Sequence, residues 1–249
     1  MIANNKAYVF INGKKFFIKK DRYHNKYEII VEKLANIAGV NCAKYHYSIK
    51  SNSYLSEDLN FLGDFKTASE LGLSIFENHL YKIWDFFEEK YPKESSKLMM
   101  EFIKVYLFNF FIVNPDLHSG NWGIVTNNDG THSVYIFDNE YSFDDENCTC
   151  LTAELDDDFG YINCDILKNN IKELEYFLSV SSRESIELFI NMFLKLTPDV
   201  FKMVILETGE DYGLSKNKIN SLNRYYTTNY NLIGGVLKKF DLVDDFSLK

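Results

Sequence analysis

Two apolar runs near the start of the chain, Tyr8 to Ile11 and Lys15 to Lys19, are separated by Asn12-Gly13. Asn-Gly suits the two-residue type I′ turn, which needs positive φ at both central positions, so this stretch predicts a β-hairpin. From Tyr27 to Ala38 the apolar residues Tyr27, Ile30, Val31, Leu34 and Ala38 take helical spacing, and Gly39 follows as a stop. Ala43, Tyr45, Tyr47 and Ile49 then alternate with Lys44, His46 and Ser48, the pattern of a half-buried strand. A shorter strand is expected near Tyr54 to Ser56. These elements make a small lobe of strands with one helix.

From Leu59 onward the pattern is mostly helical. Ser74 to Lys90 predicts an aromatic-rich helix. Ser95 to Val113 is apolar nearly all round, as expected of a buried central helix. Leu167 to Ser179, Arg183 to Leu196, Pro198 to Glu207 and Lys216 to Phe240 predict four more helices, with Gly234-Gly235 a candidate bend in the last. Between the two helical groups lies one more hairpin signal: Trp122 to Thr126 and Val134 to Asp138, joined across Asn127-Asn128-Asp129-Gly130.

That hairpin carries the candidate chemistry. It is preceded by Asn114-Pro115-Asp116-Leu117-His118-Ser119-Gly120-Asn121 and ends on Asp138. An Asp followed five residues later by an Asn is the spacing of a phosphoryl-transfer catalytic loop. The order loop, strand, turn, strand, Asp brings Asp116, Asn121 and Asp138 to one end of the hairpin. Phosphoryl transfer needs a carboxylate near the attacking hydroxyl and magnesium to neutralise the phosphates. Magnesium prefers a few oxygen ligands, which Asp138 and Asn121 supply, leaving Asp116 for the substrate hydroxyl. His118 is placed with this catalytic group, where its imidazole is expected to brace the loop backbone. Trp122 is expected to pack beneath the loop.

Such chemistry also needs a strand Lys for the phosphates and a helix Glu to position it. Lys19 ends the second hairpin strand, Glu28 opens the following helix and Glu32 lies one turn on. Periodicity does not decide between Lys19 and Lys20. No Gly-rich stretch precedes the first hairpin, and Lys6 is the cation nearest to where a phosphate loop would be.

The chain of 249 residues is 46% hydrophobic, enough for a real core, with 21 Phe and 17 Tyr but only 3 Pro. Its formal charge is −9, and Asp138 to Asp158 alone holds nine acidic residues and no Lys or Arg. That argues against direct nucleic-acid binding, which requires basic surface. Cys42, Cys148, Cys150 and Cys164 lack zinc-site spacing and read as reduced thiols. No apolar stretch is long enough to span a bilayer and no signal-peptide pattern opens the sequence. The expectation is a cytoplasmic protein, or one delivered into a host cell without a cleaved signal.

At these residues the sequence resembles the HipA-like Ser/Thr protein kinases. Their catalytic loop reads Asn-x-Asp-x-His-x-x-Asn, which Asn114, Asp116, His118 and Asn121 match, and Asn121 to Ile124 continues the likeness. Aminoglycoside phosphotransferases place His where Asn114 stands. Upstream, Phe17-Ile18-Lys19 resembles the family's nucleotide-binding strand, Glu28 its helix Glu, and Leu55-Ser56-Glu57-Asp58 the strand entering the hinge that holds adenine. The likeness runs from about residue 6 to 145. It implies ATP and Mg2+ as cofactors, Asp116 as catalytic Asp, Asn121 and Asp138 as metal ligands, and Lys19, Glu28, Glu57 and Asp58 around the nucleotide. It also implies a protein substrate, such as a translation factor or host protein, and a toxin–antitoxin setting with a small antitoxin or an N-terminal subdomain as partner. The sequence departs from the family in lacking that subdomain and the Gly-rich loop, and in reading Asp138-Asn139-Glu140 at the second metal Asp.

The expected architecture is therefore an α+β, two-lobed protein-kinase-like fold. A β-rich nucleotide-binding lobe would span residues 1–58, and a mostly helical catalytic lobe residues 59–249. The competing expectations are a pseudokinase that serves as an interaction module, and a kinase acting on a lipid or small-molecule hydroxyl. Ser142 and Thr149 are candidate phosphorylation sites by position alone.

Overall fold

The structure is a computed structural model that describes residues 7–19, 25–48, 53–74, 79–143 and 165–243. The chain forms two compact units, Met1–Val105 with Asp116–Tyr141, and Tyr106–Pro115 with Ser142–Lys249.

The first unit begins with strands β1 (Tyr8–Ile11) and β2 (Lys14–Lys19), followed by helix α1 (Asn25–Ala38) and strands β3 (Tyr45–Ser48) and β4 (Ser53–Glu57). The four strands form one antiparallel sheet in the order β1-β2-β4-β3. Asn12 and Gly13 both take positive φ (51° and 78°), as a type I′ turn demands. Tyr27, Ile30, Val31, Leu34 and Ala35 of α1 are buried. Lys6 and Lys20 lie outside the described residues, as does Ile49.

Beyond a single 3-10 turn at Leu59–Phe61 comes a strand where helix was expected, β5 (Gly63–Thr67). It pairs with β6 (Trp122–Asn127), which pairs with β7 (His132–Ile136), all antiparallel. The β5–β6 pair depends on glycine: a Cβ at Gly123 would lie 2.3 Å from the Lys66 carbonyl oxygen, and one at Gly63 2.1 Å from that of Thr126. Helix α2 spans Leu80–Lys90 and follows an extended His79, and the expected start at Ser74 is not helical. Trp122, which follows the 116–121 loop, is buried and ringed by Phe86, Phe87 and Phe102 at centroid distances of 6.4, 6.0 and 4.6 Å.

The outer edge of β7 is closed without another full strand. The His132 and Val134 N–H groups donate to Glu94 Oε2 and Glu101 Oε2 at 3.1 and 2.7 Å. The Ile136 N–H donates to the Asn41 carbonyl at 3.0 Å. The carbonyls of the same three residues accept from Lys97 Nζ, Asn41 Nδ2 and the Ala43 N–H at 2.6, 3.1 and 2.9 Å. Glu94, Lys97 and Glu101 come from α3 (Ser95–Ile112) and the residue before it, at successive turns of one helix face.

The second unit holds the last turns of α3 and helices α4 (Asp165–Val180), α5 (Arg183–Lys195), α6 (Pro198–Tyr212) and α7 (Lys216–Lys239). Ser182, Thr197 and Ser215 cap α5, α6 and α7, each side-chain oxygen accepting the N–H three residues on. The helix of α7 runs through Gly234-Gly235 without a break. Two parallel ring stacks, Phe193 on Tyr230 at 4.2 Å and Phe201 on Tyr226 at 4.0 Å, join α5 and α6 to α7.

The end of α3 is the costly point of this unit, because the last carbonyls of a helix have no partner within it. Asn229 Nδ2 donates to the Phe110 and Phe111 carbonyls at 2.8 and 3.3 Å, and Asn170 Nδ2 donates to the Phe110 carbonyl at 3.0 Å. The Phe143 N–H donates to the Ile112 carbonyl at 2.9 Å. Val113 then turns the chain with φ 49°, an unusual angle for a β-branched residue. Replacing Asn229 by Ala takes this donor from the buried Phe111 carbonyl and leaves the Phe110 carbonyl with Asn170 alone, and urea denaturation should register a loss of about 1–3 kcal/mol. A stability within about 0.3 kcal/mol of wild type would mean these bonds carry no net weight.

Candidate active site

Three elements of the first unit meet at Lys19. The alternation of β2 sends Lys19 to the same side as Phe17, and the Lys19–Tyr54 pairing fixes its height in the sheet. Its ammonium lies 2.6 Å from Glu28 Oε1 in the first turn of α1 and 2.5 Å from Asp138 Oδ1 beyond β7. The ambiguity between Lys19 and Lys20 is thus met by a definite position for Lys19. Glu32, one turn beyond Glu28, is engaged elsewhere: its Oε2 accepts the Tyr45 N–H at 3.0 Å.

The electrostatics are unequal around this ammonium. Glu28 is wholly buried, and its Oε2 has no hydrogen-bond partner among the described residues. Burial pushes the Glu28 carboxyl up to about 7 even though Lys19 pulls the other way. For Lys19 burial is again the largest effect and favours the neutral amine, but Glu28 and Asp138 together leave its pKa raised. Lys19 therefore stays charged, and its tie to Asp138, whose side chain is 39% exposed, is the more open of the two.

The 116–121 loop is tied together through its own backbone. The His118 N–H donates to the Asp116 carbonyl at 3.0 Å and the Asn121 N–H to the His118 carbonyl at 2.8 Å. The Gly120 N–H donates to His118 Nδ1 at 2.9 Å, so the ring proton belongs on Nε2, which faces Asp116 Oδ1 at 3.4 Å. Asn121 Nδ2 donates to both the carbonyl and Oδ2 of Asp116, each at 2.9 Å. Ser119 is buried, with its hydroxyl donating to the Ser74 carbonyl at 2.9 Å and its own carbonyl accepting the Ser69 N–H at 3.0 Å. The His118 imidazole thus braces the backbone and lies beside the Asp116 carboxylate as well.

The hairpin joins this loop to Asp138. The Trp122–Ile136 pairing continues as a bond from the Phe137 N–H to the Asn121 carbonyl at 3.0 Å. Asn121 and Asp138 therefore leave the sheet at the same end. Asp138 takes φ 57°, in the left-handed region, and its N–H donates to the Tyr45 hydroxyl at 2.9 Å. Tyr45 escaped the sequence reading because this contact joins positions 93 residues apart. Only the alternation of Ala43, Tyr45, Tyr47 and Ile49 with Lys44, His46 and Ser48 hinted that Tyr45 faces inward. Ser119 was missed as well, being a small residue in a loop with no pattern of its own.

Glu57 and Asp58 are not brought to Lys19. Lys14 Nζ lies 2.8 Å from Glu57 Oε1, and Lys15 Nζ lies 3.0 Å from Asp58 Oδ2. Asp58 also caps the 3-10 turn by accepting the Asn60 N–H. Burial would raise the Asp58 carboxyl, but the bonds from Asn60 and Lys15 hold it below its ordinary value. Ser142 is buried, so its hydroxyl is not presented for modification, and Thr149 lies outside the described residues.

The donor set fits magnesium delivered with a nucleotide. Among the described residues no cluster of three His, Cys, Asp or Glu could hold a metal by itself. A magnesium ion that keeps water and phosphate oxygens needs one or two protein ligands. In a nucleotide complex the Asp138 carboxylate would be one, and the Asn121 amide oxygen, left over once its nitrogen is committed to Asp116, would be the other.

No family model matches this chain, and no curated protein matches it in sequence. Solved structures do match it in fold. The proinflammatory kinase CtkA of Helicobacter pylori superposes with a TM-score of 0.69 at 15% identity, covering 97% of each chain. HipA of a toxin–antitoxin system of Shewanella oneidensis, solved with HipB and operator DNA, superposes with a TM-score of 0.60 at 17% identity, covering 98% of this chain and 67% of that one. The class defined by this fold is an α+β, kinase-like one, and within it the chain has the fold of the HipA-like kinases.

Glu28 supplies a test of this electrostatic arrangement. Its folded pKa lies above the ordinary 4.5, so its contribution to stability is complete below pH 4.5 and is lost as the pH rises through about 7. Denaturation of the unliganded protein against pH should show wild type losing stability across that window relative to Glu28→Gln, which cannot titrate. Parallel curves would place the Glu28 carboxyl at its ordinary value.

Proposed function

We propose that this chain is a kinase that transfers the γ-phosphoryl group of ATP to a hydroxyl. Asp116 serves the acceptor, Lys19 the phosphates, and Asn121 and Asp138 a magnesium ion. The single observation that carries this reading is the junction at Lys19, where one ammonium joins a helix glutamate to the Asp at the end of the β6–β7 hairpin. Charge-bearing groups are seldom drawn from three elements into a partly buried site unless charge is to be handled there. In this reading residues 1–58 form the nucleotide-binding lobe and residues 59–249 the catalytic lobe, with Glu57 and Asp58 at the adenine-holding hinge and Lys6 near the phosphates.

When bound, magnesium and ATP supply the transferred group and neutralise its charge. The protein's part is positioning. Asn121 holds the Asp116 carboxylate in one orientation, and Asp116 takes the proton of the attacking hydroxyl. His118 keeps the loop at its curvature. Glu28 holds the Lys19 ammonium in place, where it would meet phosphates, and Asp138 would be a ligand to magnesium.

The acceptor in this reading is a Ser or Thr of a protein, following the HipA-like character of the Asn114 to Asn121 loop. A cytoplasmic setting and a small protein antitoxin of the HipB kind belong to the same reading. Direct DNA contact does not, given the charge of −9. No helix among the described residues is long and apolar enough to cross a membrane.

Two variants separate the roles. A ligand bound only by the folded state stabilises it by about 2.7 kcal/mol at a hundred times its dissociation constant. ATP with magnesium should therefore raise the unfolding temperature of wild type, and Asp138→Ala should lose the magnesium-dependent part. Asp116→Ala should keep the thermal shift while transfer of labelled phosphate to protein acceptors drops about a hundredfold or more. Full transfer by Asp116→Ala would remove Asp116 from the reaction, and no shift in wild type under any condition would remove the nucleotide.

A further inference from the structure

Asp138 is held from two directions, and only one of them involves its carboxylate. The carboxylate reaches Lys19, while the backbone N–H is taken by the Tyr45 hydroxyl at 2.9 Å. Residue 138 sits at φ 57°, a conformation that a non-glycine residue keeps only when its surroundings over-determine it. Tyr45 is a rigid partner for that purpose. Its ring is 4% exposed, its own N–H is held by Glu32 of α1, and its strand position is fixed opposite Ser56 of β4. The Lys19 ammonium lies 5.8 Å from the centroid of the same ring. Burial pushes the Tyr45 phenol well above its ordinary value, so the hydroxyl remains neutral at any physiological pH.

We propose that Tyr45 is a positioning residue for the metal-binding carboxylate: by accepting the Asp138 N–H it holds residue 138 in the left-handed conformation that presents its side chain to Lys19 and to magnesium. The proposal rests on the nucleotide-site reading above. Without this hydroxyl the N–H of residue 138 has no partner among the described residues, and the residue can relax to a right-handed or extended conformation that turns its carboxylate elsewhere. The ring, which packs the sheet against α1, is unaffected by loss of the oxygen alone.

Tyr45→Phe removes that single atom. Three readouts are needed on wild type and variant: unfolding temperature without ligand, the shift with ATP in EDTA, and the further shift on titrating magnesium. Amide hydrogen exchange at Asp138 in the unliganded protein gives a fourth, independent of any ligand. The expected result is a folded variant with a wild-type shift in EDTA, an apparent magnesium affinity weaker by about tenfold, and faster exchange at Asp138. Tyr45→Ala, which also removes the ring, should lower the unliganded unfolding temperature as well, separating packing from positioning. A wild-type magnesium response in Tyr45→Phe overturns the proposal, as does unchanged exchange at Asp138. If wild type itself shows an ATP shift but no magnesium increment, the metal reading fails and the proposal with it. That outcome is distinguishable because it appears before any variant is made.

Discussion

The arrangement of the first unit depends on one ammonium group shared by two carboxylates. A buried carboxylate with no counter-charge is among the most expensive things a protein can hold, and Glu28 sits where water does not reach it. Lys19 is its sole hydrogen-bond partner among the described residues, and only one of the two carboxylate oxygens is used. Asp138 adds a second negative charge to the same cation from the far side of the unit. The Lys19 ammonium is thereby shared between a buried carboxylate and a more open one, with its tie to Asp138 the one that solvent can reach.

Much of this was legible because its causes are local. Asn12-Gly13 fixes a turn through the φ angles of two residues, and the helical spacing of Tyr27, Ile30, Val31 and Leu34 fixes the buried face of α1. The order of the Asp116 loop, two strands and Asp138 sets their meeting at one end of a hairpin, since antiparallel pairing leaves no other outcome. What escaped depends on partners remote in sequence. β5 is five residues of mixed polarity whose strand character comes from pairing with β6, about sixty positions away, and from two glycines that let the backbones approach. The expected helix start at Ser74 is not helical: the Ser74 carbonyl accepts the Ser119 hydroxyl there, and α2 begins at Leu80 after the extended His79. Periodicity does not decide between Lys19 and Lys20, and the contacts of Lys19 with Glu28 and Asp138 follow from no rule of spacing.

The helical unit solves a different problem. Its helices begin on three hydroxyl caps that a reader of the sequence can find, but the end of α3 is completed by Asn170 and Asn229, polar residues on the apolar faces of their helices whose partners the sequence does not name. A helix that ends among aromatic rings cannot leave its carbonyls to water. Amide side chains from two other helices replace that water: spacing puts Asn170 between Leu167 and Leu174 and Asn229 between Tyr226 and Ile233 on the buried faces of their helices, but it does not name the carbonyls they serve.

The closed edge of β7 limits how this protein can be approached. A strand with free N–H and C=O groups invites another chain to add itself alongside, whether a substrate segment, a regulator or a second copy in an aggregate. Here His132, Val134 and Ile136 have all six outward groups occupied, by acidic and basic side chains of α3 and by the 41–43 segment. The hairpin that carries the loop and Asp138 is thus unavailable for strand addition along that side. Whatever docks there must be read by side chains, and the hairpin can serve as a fixed mount for its polar residues while its partners change.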